Sequence, residues 1–236
     1  MEPPPALPGS RATELDSLAQ VVRQELGAAH DARETALAAC RRVIRACGNA
    51  IRATHRAETE AAAALADEAG TALAVAHASL VPFPILAAAG PLHDAEKEYA
   101  EARITAALIT GSALPSHSDL GVAAAAWLNG LAEAASELRR HILDRLRQGD
   151  LRRGEYLLAV MNDVYDSLVA IDFPDAVTGG LRRTTDALRA VLERTRGDLT
   201  TTVLQARLQE AIESRLAAGS RPPSGEGVSS SGPAGV

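Results

Sequence analysis

Large aromatic side chains are scarce in this sequence. Phe, Tyr and Trp together make up 3% of its 236 residues, although 47% of the residues are hydrophobic. A core of this size has to be built from Ala, Leu, Val and Ile, and such side chains pack most easily between helices. No strand-like alternation of apolar and polar residues survives between the helical patterns. The composition therefore predicts an all-α protein.

An excess of basic residues and long apolar runs are also absent. The net charge of −6 excludes a general attraction to nucleic acids or acidic membranes, so any such partner needs a local basic patch. No stretch approaches the ~18 uninterrupted apolar residues of a membrane span. The opening MEPPPALPGS lacks the charged and apolar segments of a secretion signal. We therefore expect a cytoplasmic protein with no membrane partner.

Only two cysteines occur, Cys40 and Cys47. Seven residues apart in a helical pattern, they are separated by about 10 Å along the helix axis, which is too far for a disulfide. A zinc site would need further His or Cys ligands, and His55 is the only such residue nearby in the sequence. We expect both thiols to be reduced and buried in the core.

Proline, glycine and serine concentrate at the two ends of the chain and at a few internal points. The composition of residues 1–10 and 219–236 predicts disordered tails, which leaves a single helical domain over residues 11–218. Internal breaks predict six or so helices, and they fall at PFP (82–84), AGP (89–91), LPSHSD (114–119), QGD (148–150), FPDAVTGG (173–180) and RGD (196–198). The predicted N-caps are Ser118 or Asp119, Asp150 and Asp198.

One of the helical patterns carries a basic edge. Its apolar stripe consists of Cys40, Val43, Ile44, Cys47 and Ile51. A different face carries Arg41, Arg45, Arg52 and Arg56. These four arginines span about 23 Å, a length that suits several phosphates of a nucleic-acid strand. The alternative is a solvated face whose arginines pair with acids such as Glu34.

Two further segments place carboxylates at turn spacing. In EKEYAEAR (96–103), Glu101 falls on the apolar face of a helix and Glu98 lies at its border. In a later segment, Glu133 and Glu137 lie nearly opposite the apolar seam. On a simple helical bundle these pairs are surface residues without a function. In a hollow assembly the same faces can line an interior cavity.

Three stretches together resemble the translin family, which comprises translin and translin-associated factor X. They are EYAEA (98–102), WLNGLAEAASEL (127–138) and FPDAVTGGLRRTTDALR (173–189). The similarity in order and spacing covers roughly residues 29–215. The resemblance implies an antiparallel bundle of six to seven helices whose subunits form a hollow homo-oligomer, an octamer, that encloses single-stranded RNA or DNA. A second translin-family subunit is a further partner that it implies.

The resemblance also implies a metal site. In the translin-associated factor X type, carboxylates of two helices bind magnesium for RNA cleavage, and the matching residues here are Glu98, Glu101, Glu133 and Glu137. Oxygen ligands without His or Cys prefer Mg²⁺ or Mn²⁺. Glu101 and Glu137 are the first choices as direct ligands, with Glu98 and Glu133 completing the shell or acting as general base. Translin lacks this full acidic set, which favours the nuclease-like branch.

The same resemblance bears on the basic residues. Arg41, Arg45, Arg52 and Arg56 lie in the N-terminal region that carries positive charge toward nucleic acid, and Arg182 and Arg183 match a basic helix start. We expect contacts with phosphates from both groups. Aromatic stacking on bases should be minor, because Tyr99 and Trp127 are expected in the core beside the carboxylates.

Four functions therefore compete. The first is a magnesium-dependent endoribonuclease, and the second is a translin-like oligomer that binds nucleic acid without cleaving it. The third is an all-α nucleoside triphosphate pyrophosphohydrolase, which needs a small closed pocket at the carboxylates. The fourth is a helical scaffold, in which the two glutamate pairs face bulk solvent and lie far apart. Distances among the four glutamates separate most of these alternatives.

Overall fold

The computed structural model describes residues 11–88 and 90–219. The tail predicted at residues 1–10 lies outside the described residues. The tail predicted at 219–236 also lies outside them, except for Gly219, which is the last residue of a helix. Among the described residues, no helix combines the length and hydropathy that a membrane crossing requires.

Every regular element in the described part of the chain is a helix. In chain order these are α1 (Arg11–His55), α2 (Thr59–Leu80), α3 (Pro84–Ala87), α4 (Gly90–Thr110), α5 (His117–Leu120), α6 (Ala124–Arg147), α7 (Leu151–Val169), α8 (Asp175–Thr178) and α9 (Leu181–Gly219). The prediction of an all-α fold is confirmed. The six to seven predicted helices correspond to the six long ones, because α3, α5 and α8 are single turns.

The long helices pack in a simple sequence of neighbours. Helix α1 packs on α2 and α4, α4 packs on α6, and α6 packs on α7 and α9. Alanine fills many of the contacts, and Leu138 and Ile142 of α6 are completely buried at the centre. Truncating a leucine in such a place costs about 2–5 kcal/mol, so Leu138→Ala would remove much of the stability of the domain.

Most of the predicted helix boundaries agree with the structure. The chain leaves helical geometry at residues 82–83, 148–150 and 173–174, where Pro and Gly had indicated breaks. The side chain of Asp150 accepts a hydrogen bond from the backbone N–H of Arg153 at 3.0 Å, as an N-cap does. The cap of α5 is Ser116, so the choice of Ser118 or Asp119 was wrong.

Two boundary predictions fail for identifiable reasons. Helix α9 runs straight through RGD at 196–198, and Asp198 caps no helix there. Its carboxylate instead forms an ion pair with Arg139 of α6 at 2.8 Å. The break after His55 was not predicted. Ala57 there adopts a φ of 59°, a left-handed conformation that alanine rarely takes and that the sequence does not signal.

The predicted core residues are mostly in place. Cys40 and Cys47 are buried free thiols, as expected. Ile44 was assigned to the same stripe, but it is 40% exposed and this assignment was wrong. Tyr99 is buried, and Trp127 is half-buried against the core with its indole N–H donating to the Pro115 carbonyl at 3.0 Å. Neither ring therefore forms an open surface for base stacking.

Candidate functional site

Helices α4 and α6 approach each other very closely at Gly130. A Cβ atom at this position would lie 2.7 Å from the carbonyl oxygen of Lys97 and 3.0 Å from the amide nitrogen of Glu101. Both neighbours are backbone atoms, so they cannot turn away as a side chain could. Glycine is thus what allows α6 to press against α4, and the contact falls where both helices carry their glutamates.

Three of the four candidate glutamates come together at this contact. Glu98 and Glu101 of α4 and Glu133 of α6 each offer a carboxylate oxygen, and these oxygens lie within 4.8 Å of one another. We call these three residues the carboxylate group. Glu101 is buried, at 8% exposed, whereas Glu98 and Glu133 are half-buried. Three carboxylates held this close repel one another unless a proton or a cation compensates their charge.

The proton affinity of the carboxylate group reflects this crowding. Burial raises the pKa of Glu101 to about 9, and the negative charges of Glu133, Glu98 and Glu137 add to the effect. Burial also raises the pKa of Glu98, against the opposing influence of Lys97. Without a bound cation, Glu101 therefore keeps its proton at neutral pH. Such strong perturbation within one cluster is typical of functional sites, although ion-pair networks also produce it.

Lys97 supplies a positive charge inside the carboxylate group. Its ammonium donates a hydrogen bond to Oε1 of Glu133 at 2.8 Å and lies 3.6 Å from Oε1 of Glu98. Burial lowers the pKa of Lys97. Its hydrogen bond to Glu133 and the charges of the neighbouring carboxylates outweigh this effect, so the pKa lies above its ordinary value. Lys97 was not predicted as a site residue, although the sequence EKEYAEAR places it between Glu96 and Glu98.

Glu137 lies beside the carboxylate group rather than within it. Its Oε2 accepts a hydrogen bond at 2.8 Å from Nε2 of His55, the last residue of α1. This hydrogen bond lowers the pKa of Glu137, against the effect of burial, so its carboxylate is ionised at neutral pH. From the sequence, His55 was expected beside the basic face of its helix and was weighed as a zinc ligand, but not as a partner of Glu137. A pairing across two distant helices leaves no signal in local spacing.

The carboxylates open onto solvent instead of closing into a pocket. The side chains of Glu98, Glu133 and Glu137 are 27%, 33% and 36% exposed. This exposure disagrees with the small closed pocket that a pyrophosphohydrolase needs. The proximity of Glu98, Glu101 and Glu133 disagrees with a scaffold whose glutamate pairs lie far apart. An extended nucleic-acid strand can reach carboxylates that are exposed in this way.

The arginine edge of α1 begins next to His55. Arg41, Arg45 and Arg52 are exposed on α1, and Arg56 is exposed in the turn that follows it. Arg41 lies about 21 Å from His55 along the helix axis, so the edge extends from the end of α1 towards its middle. Arg56 pairs with Glu58 at 2.7 Å. Within the described chain, Arg41 and Arg45 form no ion pair, and Glu34, the acid expected to pair with this face, pairs with Arg33.

The start of α9, which carries Arg182 and Arg183, is held against α6, the helix that carries Glu133. Asn129, one turn before Glu133 on α6, donates to the Thr178 carbonyl at 2.8 Å and accepts from the Thr184 hydroxyl at 2.6 Å. These bonds hold the start of α9, where Arg182 and Arg183 are exposed. Arg182 lies 3.6 Å from Asp172, and an ion pair so exposed contributes at most about 1 kcal/mol.

No protein-family model matches the chain. It is 30% identical to an uncharacterized protein of Methanocaldococcus jannaschii over 136 residues, which cover 57% of this chain and 60% of that protein. The match thus spans less than two thirds of that relative.

Solved structures match a larger share of this chain. AfC3PO in complex with duplex RNA has a TM-score of 0.74 and AfC3PO alone 0.73, each at 32% identity over 80% of this chain and 98% of theirs. Apo-NeC3PO has a TM-score of 0.69 at 18% identity, covering 84% of this chain and 98% of its own. The NeC3PO match supports the fold alone.

Proposed function

Because the chain belongs to the translin/C3PO family, we propose that it binds RNA and cleaves it with a divalent cation held by its carboxylate group. The observation that carries this proposal is the meeting of Glu98, Glu101 and Glu133, with oxygens within 4.8 Å of one another. Carboxylate oxygens without His or Cys fit Mg²⁺ or Mn²⁺. A divalent charge would also offset the burial and the neighbouring negative charges that otherwise keep Glu101 protonated.

The four glutamates would have different roles in binding the cation. Glu98, Glu101 and Glu133 would hold the cation, and Glu101 would lose its proton when the cation binds. Glu137, kept ionised and oriented by His55, would complete the shell from the side. The sequence favoured Glu101 and Glu137 as direct ligands. Because Glu98, Glu101 and Glu133 lie together, we propose these three as the direct ligands instead. A cation held there would polarise a phosphodiester oxygen and lower the pKa of an attacking water.

The exposed arginines would bind the strand. Arg52 and Arg56 flank His55 in the sequence, and the start of α9 with Arg182 and Arg183 is fixed to α6 one turn from Glu133. In an acidic chain these groups supply the local positive charge that phosphates require. The complex of AfC3PO contains duplex RNA. Duplex RNA, single-stranded RNA and DNA should therefore all be tested as substrates.

A homo-oligomer, and specifically an octamer, is part of the proposal. Apolar side chains are exposed along the first turns of α1 and the second half of α9, and they include Leu15, Leu18, Val22, Leu26, Leu204, Leu208 and Ile212. Apolar stripes of this length mark interaction surfaces. Light scattering at micromolar concentration tests the assembly, and a monodisperse monomer would contradict it. A mixed assembly with a second family member remains a variant of the same proposal.

A second candidate function is RNA binding without cleavage. It is favoured by Lys97, whose ammonium already compensates part of the carboxylate charge without any metal. Incubation of the purified protein with labelled single-stranded and duplex RNA, in Mg²⁺ and in EDTA, separates the two candidates. Cleavage that requires Mg²⁺ supports the nuclease. Tight binding with no cleavage in Mg²⁺ or Mn²⁺ supports the binding protein.

A further inference from the structure

Lys97 occupies a position that the proposed function does not yet use. Its ammonium lies between the two half-buried members of the carboxylate group, 2.8 Å from Glu133 and 3.6 Å from Glu98. We propose that Lys97 is the counter-ion that a divalent cation displaces from Glu133, and that the displaced ammonium binds the phosphate of the RNA strand. This inference rests on the proposed metal-dependent function and assigns a substrate-binding residue to it.

The displacement follows from the geometry around Glu133. A Mg²⁺ ion coordinated by this carboxylate would lie about 2.1 Å from one of its oxygens. The ammonium now contacts Oε1 of Glu133 at 2.8 Å. A dication and an ammonium on one half-buried carboxylate would repel each other, because like charges a few Å apart still interact appreciably at the intermediate dielectric of a partly exposed site. This repulsion favours release of the ammonium from Glu133.

The position of Lys97 lets it leave without moving the backbone. Its carbonyl oxygen is fixed at the close contact with Gly130, whereas its side chain is 21% exposed and reaches the edge of the carboxylate group. The four-carbon stem of lysine turns freely once its head group is released. The ammonium can therefore move toward solvent while Glu98 and Glu101 stay in place on the same helix.

The chemistry of the substrate gives the displaced ammonium a new partner. A strand whose phosphate reaches the cation brings an anionic oxygen to the edge where the ammonium emerges. Lysine binds phosphate as a compact point charge with three donors. A cation placed beside the reacting phosphate also stabilises the negative charge that builds up during cleavage. Lys97 would thus exchange a carboxylate for a phosphate in each round of metal and RNA binding.

The test compares Lys97→Met with Lys97→Arg in the full-length protein, and Arg103→Met serves as the matched control. Arg103 is also on α4 and forms an ion pair, with Asp67 at 3.0 Å, but outside the carboxylate group. Calorimetric titration with Mn²⁺ alone should show roughly tenfold tighter binding to Lys97→Met, since one close counter-charge is removed. Lys97→Arg and Arg103→Met should bind Mn²⁺ like the wild type.

Cleavage should change in the opposite direction. At saturating Mn²⁺, Lys97→Met should lose roughly tenfold in kcat/KM for labelled RNA, and Lys97→Arg should restore most of it. Structural damage would weaken metal binding and cleavage together, so the opposite signs identify the proposed role. Unchanged or weaker Mn²⁺ binding by Lys97→Met, with normal binding by the wild type, would overturn this inference and leave the metal site standing. A wild type that binds no Mn²⁺ would overturn both.

Discussion

His55 and Glu137 are joined by a 2.8 Å hydrogen bond between residues 82 positions apart in the chain. The bond ties the end of α1 to α6, and the imidazole is buried, with its side chain 1% exposed. Its second ring nitrogen, Nδ1, is buried without a hydrogen-bond partner in the described structure. Glu137 is therefore the hydrogen-bond partner of this imidazole, and replacing His55 measures the effect of the imidazole on the Glu137 carboxylate.

We predict that His55→Ala weakens Mn²⁺ binding by about 10–100-fold, the usual effect of losing a group that orients a metal ligand. The lost hydrogen bond should also reduce the free energy of unfolding by about 1–3 kcal/mol. His77→Ala is the control, because His77 also makes a 2.8 Å bond to a glutamate, Glu96, outside the carboxylate group. It should reduce stability without changing Mn²⁺ affinity in calorimetry. Equal Mn²⁺ affinities for both variants would contradict the role of His55.

Gly130→Ala tests the close approach of α4 and α6. The added methyl group would lie 2.7 Å from the Lys97 carbonyl oxygen, so the two helices have to separate. We expect a loss of about 1–3 kcal/mol in the free energy of unfolding, together with weaker Mn²⁺ binding, because the carboxylate oxygens move apart.

The matched control for Gly130→Ala is Gly27→Ala. Gly27 lies within α1, and a Cβ atom there would meet nothing within 4 Å. Alanine should stabilise this helix by up to about 1 kcal/mol. Chemical denaturation of both variants gives the comparison. A Gly130→Ala protein as stable as the wild type would show that the helices are not held as closely as described.

The stability of the cation-free protein should depend on pH through Glu101. Its pKa in the folded protein is raised to about 9, so the folded state holds a proton that the unfolded state releases above its ordinary pKa. This contribution to stability is complete below about pH 4.5 and is lost as the pH rises toward 9. Unfolding in EDTA should show wild-type stability falling over this range relative to Glu101→Gln, which cannot ionise. Parallel pH curves for the two proteins would contradict the raised pKa.

Arg182 and Arg183 should contribute phosphate contacts that are independent of base sequence. Replacing both with Ala should weaken RNA binding equally for different sequences and lower the salt slope of log K by about 2. Arg215→Ala is the control, since Arg215 lies about 48 Å from Arg183 along α9. Fluorescence anisotropy across a salt series measures both quantities. An unchanged slope in the double variant would place the RNA elsewhere.

The helical elements were predictable because Pro and Gly mark most of their ends, and Asp150 carries its capping role in its residue type. The break predicted at 196–198 failed because a glycine within a helix costs only about 1 kcal/mol. Contacts of α9 with α6, including the Asp198–Arg139 ion pair, outweigh that cost. Local pattern alone cannot report such tertiary contacts.

The acidic residues were found from turn spacing and family resemblance, but their geometry was not. Their approach depends on Gly130, which the sequence presents as one glycine in a helical stretch. The partners Lys97 and His55 contact residues 36 and 82 positions away, and such pairings are decided by how the helices pack. Local spacing could identify the carboxylates and their faces, but not the cation and imidazole beside them.

The most direct measurement is cleavage of labelled RNA by the wild type, Glu101→Gln and Glu137→Gln, side by side in Mg²⁺ and in Mn²⁺. Glu60→Gln, which alters an exposed carboxylate on α2, controls for the general effect of a Glu-to-Gln change, and the two site variants, purified in the same way, control for a contaminating nuclease. The wild type and Glu60→Gln should cleave the RNA only when the metal ion is present. Glu101→Gln and Glu137→Gln should show no cleavage and little metal-induced rise in Tm, with RNA binding and assembly retained. Full cleavage by Glu101→Gln or Glu137→Gln would contradict the assignment of these carboxylates to metal-dependent cleavage.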